Sequence, residues 1–353
     1  MLDAPRVAGE ETRRAIFAQP EWLRAVPTDR RLPEGRVLHT GCGTSFHAAQ
    51  TAGWAEQALE LVLRPRDADA LVVVSHEGGT AVSLEAVRAF DGPVWLVTGK
   101  PDSPLGEAAD EIVLATPEIE KSWCHTASYT CAVAAMRALH GEDVSGLPNA
   151  VAEALEEREP VSEHERWLVA GAGRDWPTAQ EAVLKLREGA HVAAEAHHTE
   201  QLLHGHLAAI DESVRAFVLE GEGRAAERAA GAVAALRELG CETTLVPTEH
   251  PVVDIVRFQL LTLELAEARG IDPDPIRRDD PRWERAAAVH ERALRGVAAE
   301  GSDFNVGRLP PGAACAAACR AHEEADHEDQ RHDHGQDEQP FDREADAEEN
   351  DRQ

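Results

Sequence analysis

Lysine is almost missing from this chain. Of 353 residues only Lys100, Lys121 and Lys185 are lysines, and every other fixed cation is arginine. Amine chemistry such as a Schiff base is therefore confined to three positions, because arginine stays protonated. Aromatic residues make up 4%, so the cores must be built from alanine, leucine and valine, and the 43% apolar content is enough to fill them. No apolar run reaches the ~18–20 residues that a membrane span needs. The first residues, Met-Leu-Asp-Ala-Pro-Arg, lack the basic and then apolar blocks of a signal peptide. Six cysteines (Cys42, Cys124, Cys131, Cys241, Cys315 and Cys319) are scattered without a CxxC pair, as expected of reduced thiols in a cytoplasmic protein. A formal net charge of −30 argues against nucleic acid or an anionic membrane as the main partner.

The length allows one large domain or two of ordinary size. Residues 10 to 25 read as a short helix interrupted at Pro20. Strand and helix then alternate. Short apolar strands are expected over 37–40, 70–75, 94–98 and 111–115, with helices over 46–61 and 123–139 between or after them. The run Ala70-Leu-Val-Val-Val-Ser75 is typical of a strand buried on both faces. The pattern restarts with strands over 167–170, 214–219 and 243–246 and helices from about Pro177, over 224–239 and over 253–268. Two runs of β-turn-α units imply an α/β fold of two parallel-sheet domains. The expected divisions are a helical lead-in over 1–26, domains over 27–160 and 161–298, and a tail over 299–353. Residues 321–353 hold 14 acidic and 3 basic side chains and little to bury, so the tail is expected to be disordered.

Three polar loops fall where strands end. Gly41-Cys-Gly-Thr-Ser45 opens a helix, where free N–H groups and the hydroxyls of Thr44 and Ser45 suit an anion; a plain βα turn explains it equally well. Ser75-His-Glu-Gly-Gly-Thr80 lies at the neighbouring strand end, where open α/β sheets bind ligands. Glu77 is out of character there, since a carboxylate beside a phosphate costs free energy. Glu120 to Thr130 opens another helix, and its hydroxyls also suit capping. Further on, Glu181, Lys185 and Glu188 sit at i, i+4 and i+7 on one helix face, and His204-Gly205 follows sixteen residues after Glu188. Taken alone, that face reads as solvated. A carboxylate on a rigid helix with a histidine returned from a loop also has the makings of an acid/base pair.

In this order the motifs resemble the tandem sugar-isomerase (SIS) domain family, in particular the isomerase half of glucosamine-6-phosphate synthases. Ala15-Ile-Phe-Ala-Gln-Pro20 is similar to the Glu-Ile-x-Glu-Gln-Pro lead-in, and the likeness runs from about residue 12 to about 285. The resemblance implies two three-layer, flavodoxin-like domains with five-stranded sheets and a site completed across a homodimer. It places sugar phosphate at Gly43, Thr44, Ser45, Ser75, His76, Thr80 and Thr126. It makes Glu188 the base moving a proton between C1 and C2, with Lys185 one turn away. It makes His204 the ring-opening residue of the partner subunit.

The departures narrow the function. With no N-terminal catalytic cysteine in the residues given, no glutaminase activity is expected. The phosphate loop, Ser-x-Ser-Gly-Glu-Thr in the family, has Glu77 and Gly79 at its second serine and its glutamate. Ala-Ser-Thr-Lys becomes Cys124-His-Thr-Ala127. No lysine follows Lys185, so the synthase's carbonyl-reactive lysine has no counterpart. Arg277 and Arg278 lie in the corresponding region, either as a clamp for an anionic group or paired with Asp279 and Asp280. The expectation is a sugar-phosphate or amino-sugar-phosphate isomerase, deaminase or deglycase. The alternative is a sensor that binds without turnover. The tail's His322, His327, His332 and His334, with Cys315 and Cys319 at i, i+4, have metal-ligand character, but an incidental polar tail is the simpler reading. No cofactor and no metal are expected.

Overall fold

A computed structural model describes residues 7–289. The expected tail, with its histidines, Cys315 and Cys319, lies outside the described residues. In chain order the elements are α1 (Glu10–Arg24), β1 (Val37–Gly41), α2 (Thr44–Gln50), β2 (Ala55–Gln57), α3 (Ala58–Leu63), β3 (Ala70–Val74), α4 (Ala81–Ala89), β4 (Val94–Thr98), α5 (Pro104–Ala108), β5 (Glu111–Leu114), α6 (Ala127–Leu139) and α7 (Leu147–Ala154). There follow β6 (Arg166–Gly171), α8 (Trp176–Gly189), β7 (Ala193–His198), α9 (Thr199–Leu202), β8 (Val214–Leu219), α10 (Arg224–Glu238), β9 (Glu242–Val246) and α11 (Pro251–Ala268).

All strand pairs are parallel, in two sheets ordered β2-β1-β3-β4-β5 and β7-β6-β8-β9. The second sheet has four strands among the described residues, where the resemblance implied five. Strand β3 is buried at all five positions. Val72 and Val74 point into one core, Leu71 and Val73 into another, as the two-residue period of a strand requires. The core containing Val72 and Val74 also takes Trp167, Val169, Phe217 and Leu219 of the second sheet, with α1, α6, α8 and α11 packed between. The two sheets therefore share a helical layer within one compact unit.

Three expectations need correction. The helix expected over 46–61 is two helices, α2 and α3, with edge strand β2 between them. Strand β7 has no counterpart in the sequence pattern; Ala-Ala-Glu-Ala-His-His has no apolar run, and its ladder to β6 defines it. Helix α1 continues through Pro20. A proline there removes the N–H that would reach the Ile16 carbonyl. Gln19 supplies the missing donor, its Nε2 bonding Ile16 O at 2.9 Å. Among the described residues no helix is long and apolar enough to cross a membrane, and all four cysteines are free.

Candidate functional site

Helix α8 carries the face Glu181, Lys185 and Glu188, and α8 packs against both α11 and α2 of the first sheet. The face is buried, contrary to the solvated reading: Glu181 and Lys185 are 0% exposed. Lys185 Nζ lies 2.8 Å from Glu188 Oε2 and 3.3 Å from Glu181 Oε1. It also bonds Thr44 Oγ1 at 3.2 Å, the Cys124 carbonyl, and the His125 carbonyl at 3.4 Å. An ammonium has three N–H groups. Five acceptors surround these three, so Lys185 is fully engaged by the protein.

Glu181 accepts from Thr44 Oγ1 at 3.1 Å and pairs with His47 Nδ1 at 2.7 Å. Burial would raise its pKa, but Lys185, His47 and Thr44 together hold it below the usual carboxylate range. For Glu188 the balance falls the other way. Burial outweighs the pull of Lys185 and its pKa is raised, although its side chain keeps 23% exposure. Lys185 itself is driven upward by Glu181 and Glu188 against burial, so it stays a cation. The sequence did not single out His47. The available signal was its spacing: His47 is i+3 from Thr44, on the same face of α2, and both bond Glu181.

The strand-end loops lie beside this face. Gly43 takes a positive φ of 55° at the start of α2. Thr44, read as an anion donor, spends its one hydroxyl proton on Glu181. The Ser45 N–H bonds Cys42 O at 3.2 Å. Ser75 is buried at the end of β3, and Thr80 starts α4. His76 Nε2 accepts the Glu120 N–H at 3.0 Å, and burial lowers its pKa, so the ring is uncharged. Glu77 is exposed.

Glu120 is the polar anchor of the α6 N-terminus. Its carboxylate accepts the N–H groups of Thr126 and Ser128, both at 2.7 Å, and the Thr126 hydroxyl at 2.9 Å. Thr126, expected on the substrate, is 1% exposed and its hydroxyl serves this cap. Burial favours the acid form of Glu120, but His125 and these hydrogen bonds overcome it. His125 is held at a φ of 45°, and burial drops its pKa to about 4.

The remaining predicted residues lie further out. His204 does not meet Glu188 within the chain: its Nε2 lies 2.9 Å from Glu200 Oε1, with 68% of its side chain exposed. Arg277 and Arg278 make no ion pair with Asp279 or Asp280 among the described residues. They stack on indoles instead, Arg277 over Trp283 at 4.3 Å and Arg278 over Trp123 at 3.6 Å. Among the described residues no cluster of three or more His, Cys, Asp or Glu has the geometry to hold a metal ion.

Comparison with known proteins places this arrangement. The SIS domain model matches residues 161–272. The isomerizing glutamine–fructose-6-phosphate aminotransferase of Aeropyrum pernix is 30% identical over 342 residues, covering 78% of this chain and 55% of that protein. The chain thus spans about half the length of the curated relatives it matches. The C-terminal domain of glucosamine-fructose-6-phosphate aminotransferase from Francisella tularensis shares the fold with a TM-score of 0.65 at 21% identity, covering 77% of this chain and 99% of that one. A glucosamine-6-phosphate deaminase from Thermotoga maritima does so with a TM-score of 0.61 at 18% identity, over 75% and 97% of the two chains. The ordered motifs, the matched domain and the shared fold make this chain a member of the SIS-domain family, similar to the isomerase half of glutamine–fructose-6-phosphate aminotransferase.

Proposed function

We propose that the protein binds a sugar phosphate or amino-sugar phosphate at the carboxyl ends of the first sheet and moves a proton between its C1 and C2. The observation that carries this reading is the division of labour on α8. Glu181 and Lys185 are sealed, while Glu188 alone keeps an opening and a raised pKa. A carboxylate tuned upward works best as a base near neutral pH. Glu188 takes the proton from the carbon next to the carbonyl, the electron pair moves onto the carbonyl oxygen, and the enediolate is reprotonated at the neighbouring carbon. Once the sugar ring is open, isomerisation, deamination and deglycation all share a proton transfer of this kind.

Lys185 acts as a positioning residue. Its protons are spent on the protein, and as a buried cation it keeps Glu188 from protonating too readily. The chain has no later lysine to form a Schiff base with the sugar. His204, exposed and on the surface, would serve the site of a second copy in a homodimer. A non-catalytic sensor is the second reading, favoured by the exposed Glu77 carboxylate in the phosphate loop.

Proton NMR in deuterated water against a panel of sugar phosphates tests the proposal. Deuterium should enter C1 or C2 with the wild type. With Glu188→Gln, exchange should disappear while ligand line-broadening persists. Wild-type exchange rates in that variant would refute the base. Binding without any exchange in the native protein would establish the sensor.

A further inference from the structure

Among the described residues, four that are not glycine have a positive φ: His125 at 45°, His191 at 55°, Ile276 at 42° and Arg277 at 63°. Such backbone costs free energy and persists where the surroundings over-determine it, often at ligand sites. His125 and His191 lie at the last turn of α8, the first through its carbonyl and the second two residues beyond Gly189. The His125 carbonyl accepts from Lys185. A methyl group on Gly189, the residue after Glu188, would lie 3.4 Å from both Cys124 Sγ and Pro273 Cβ. The Trp123 N–H bonds Asp274 O at 2.9 Å, tying the segment before α6 to the segment after α11. Arg278 then stacks on Trp123, and Trp123 meets His125 edge-on with ring centroids 6.1 Å apart. On the other side, burial and then the charges of Arg277 and Arg269 lower the pKa of His191. A run of contacts thus leads from Arg278 through Trp123 and His125 to Lys185 and Glu188.

Arg277 and Arg278, neighbours in sequence, have no carboxylate partner among the described residues. In a chain with 65 acidic residues, and with Asp279 and Asp280 next in sequence, this is a costly arrangement to leave unused. Stacking on an indole face fixes a guanidinium while leaving its N–H edge open for a bidentate oxyanion. His191 Nε2, buried and without a hydrogen-bond partner among the described residues, adds an unmet polar group within the reach of the Arg277 charge.

We propose that Arg277 and Arg278 form an oxyanion subsite on the Trp123 side of the α8 site, for a second anionic group on the substrate beyond the one held by the strand-end loops. The proposal rests on the sugar-phosphate reading above and narrows it. The substrate is then a sugar phosphate whose C1 or C2 substituent carries a carboxylate or a second phosphate.

The test is calorimetric titration of the full chain with four ligands. They are fructose 6-phosphate, fructose 1,6-bisphosphate, the C1 glycine conjugate of fructose 6-phosphate, and its ethanolamine counterpart without the carboxylate. One doubly anionic ligand should bind roughly tenfold tighter than its singly anionic control, the gain of one charge-assisted hydrogen-bonded pair. Whether the carboxylate or the phosphate gives the gain identifies the anion. In Arg277→Gln/Arg278→Gln the ratio should fall to near one. Arg278→Gln alone, at an exposed side chain, serves if the double variant does not fold. Equal affinity for all four ligands, or a preference that survives both substitutions, overturns the subsite and leaves the sugar-phosphate reading standing. No binding of any of them overturns both.

Discussion

Replacing Lys185 by methionine probes the centre of the site most directly. The change keeps the buried volume but leaves Glu181, 0% exposed, and Glu188 without the cation 3.3 and 2.8 Å away. Removing one member of a buried ion pair costs about 3–5 kcal/mol, because the remaining charge is uncompensated. For a chain of this size about 2 °C is lost per kcal/mol, so the melting temperature should fall by about 6–10 °C near pH 8. The pH dependence is the sharper readout. In the wild type the lowered pKa of Glu181 contributes stability that is lost as pH falls. The raised pKa of Glu188 contributes stability that is lost as pH rises, so the two offset each other. Without Lys185, burial dominates at both carboxylates and both bind protons more readily folded than unfolded. The variant should therefore regain stability as pH falls, and its deficit should shrink between pH 8 and pH 5. Differential scanning calorimetry at both pH values measures this. A deficit below about 1 kcal/mol, the range of an exposed pair, or one equal at both pH values would refute the buried-triad account.

Four further substitutions follow from the packing. Burial raises the Asp254 pKa from 3.8 to about 7, so this group costs stability progressively as pH rises across that interval, on the order of 4 kcal/mol at its end. Asp254→Asn keeps an oxygen for the N–H groups of Glu249 and His250; its melting temperature should match wild type near pH 4 and exceed it near pH 8. Glu120→Ala should cost about 3 kcal/mol or more, since it strands the buried donors of Thr126 and Ser128; urea midpoints would show the loss, and a shift within error would exclude the cap. Gly189→Ala puts a methyl 2.4 Å from Thr262 Cγ2 and should cost about 1–3 kcal/mol. Gly231→Ala, inside α10 with nothing within 4 Å, should instead stabilise by about 0.5–1 kcal/mol, and thermal melts of the pair separate the two cases.

Much of the fold is legible along the chain because central strands and long helices carry their own periodicity. Ala70 to Val74 announces a strand buried on both faces, and the alternation that follows announces parallel sheets. Edge strands β2 and β7 are short or polar, and they exist because β1 and β6 offer a ladder. The local rule at Pro20 was also outvoted, by a side-chain donor from Gln19 that a pattern of residues does not reveal.

For the site, the sequence determined that Glu181, Lys185 and Glu188 share one helix face, since 3.6 residues per turn allow nothing else. It determined that no lysine follows them and that a carboxylate stands in the phosphate loop. Tertiary structure alone decided that this face is buried, because α8 is packed against α11 and α2. Only then does desolvation act on the three charges. It seals Lys185 and Glu181 into a pair, brings in His47, and leaves Glu188 partly open with a raised pKa. A charge pattern is local, but the dielectric around it belongs to everything folded against it.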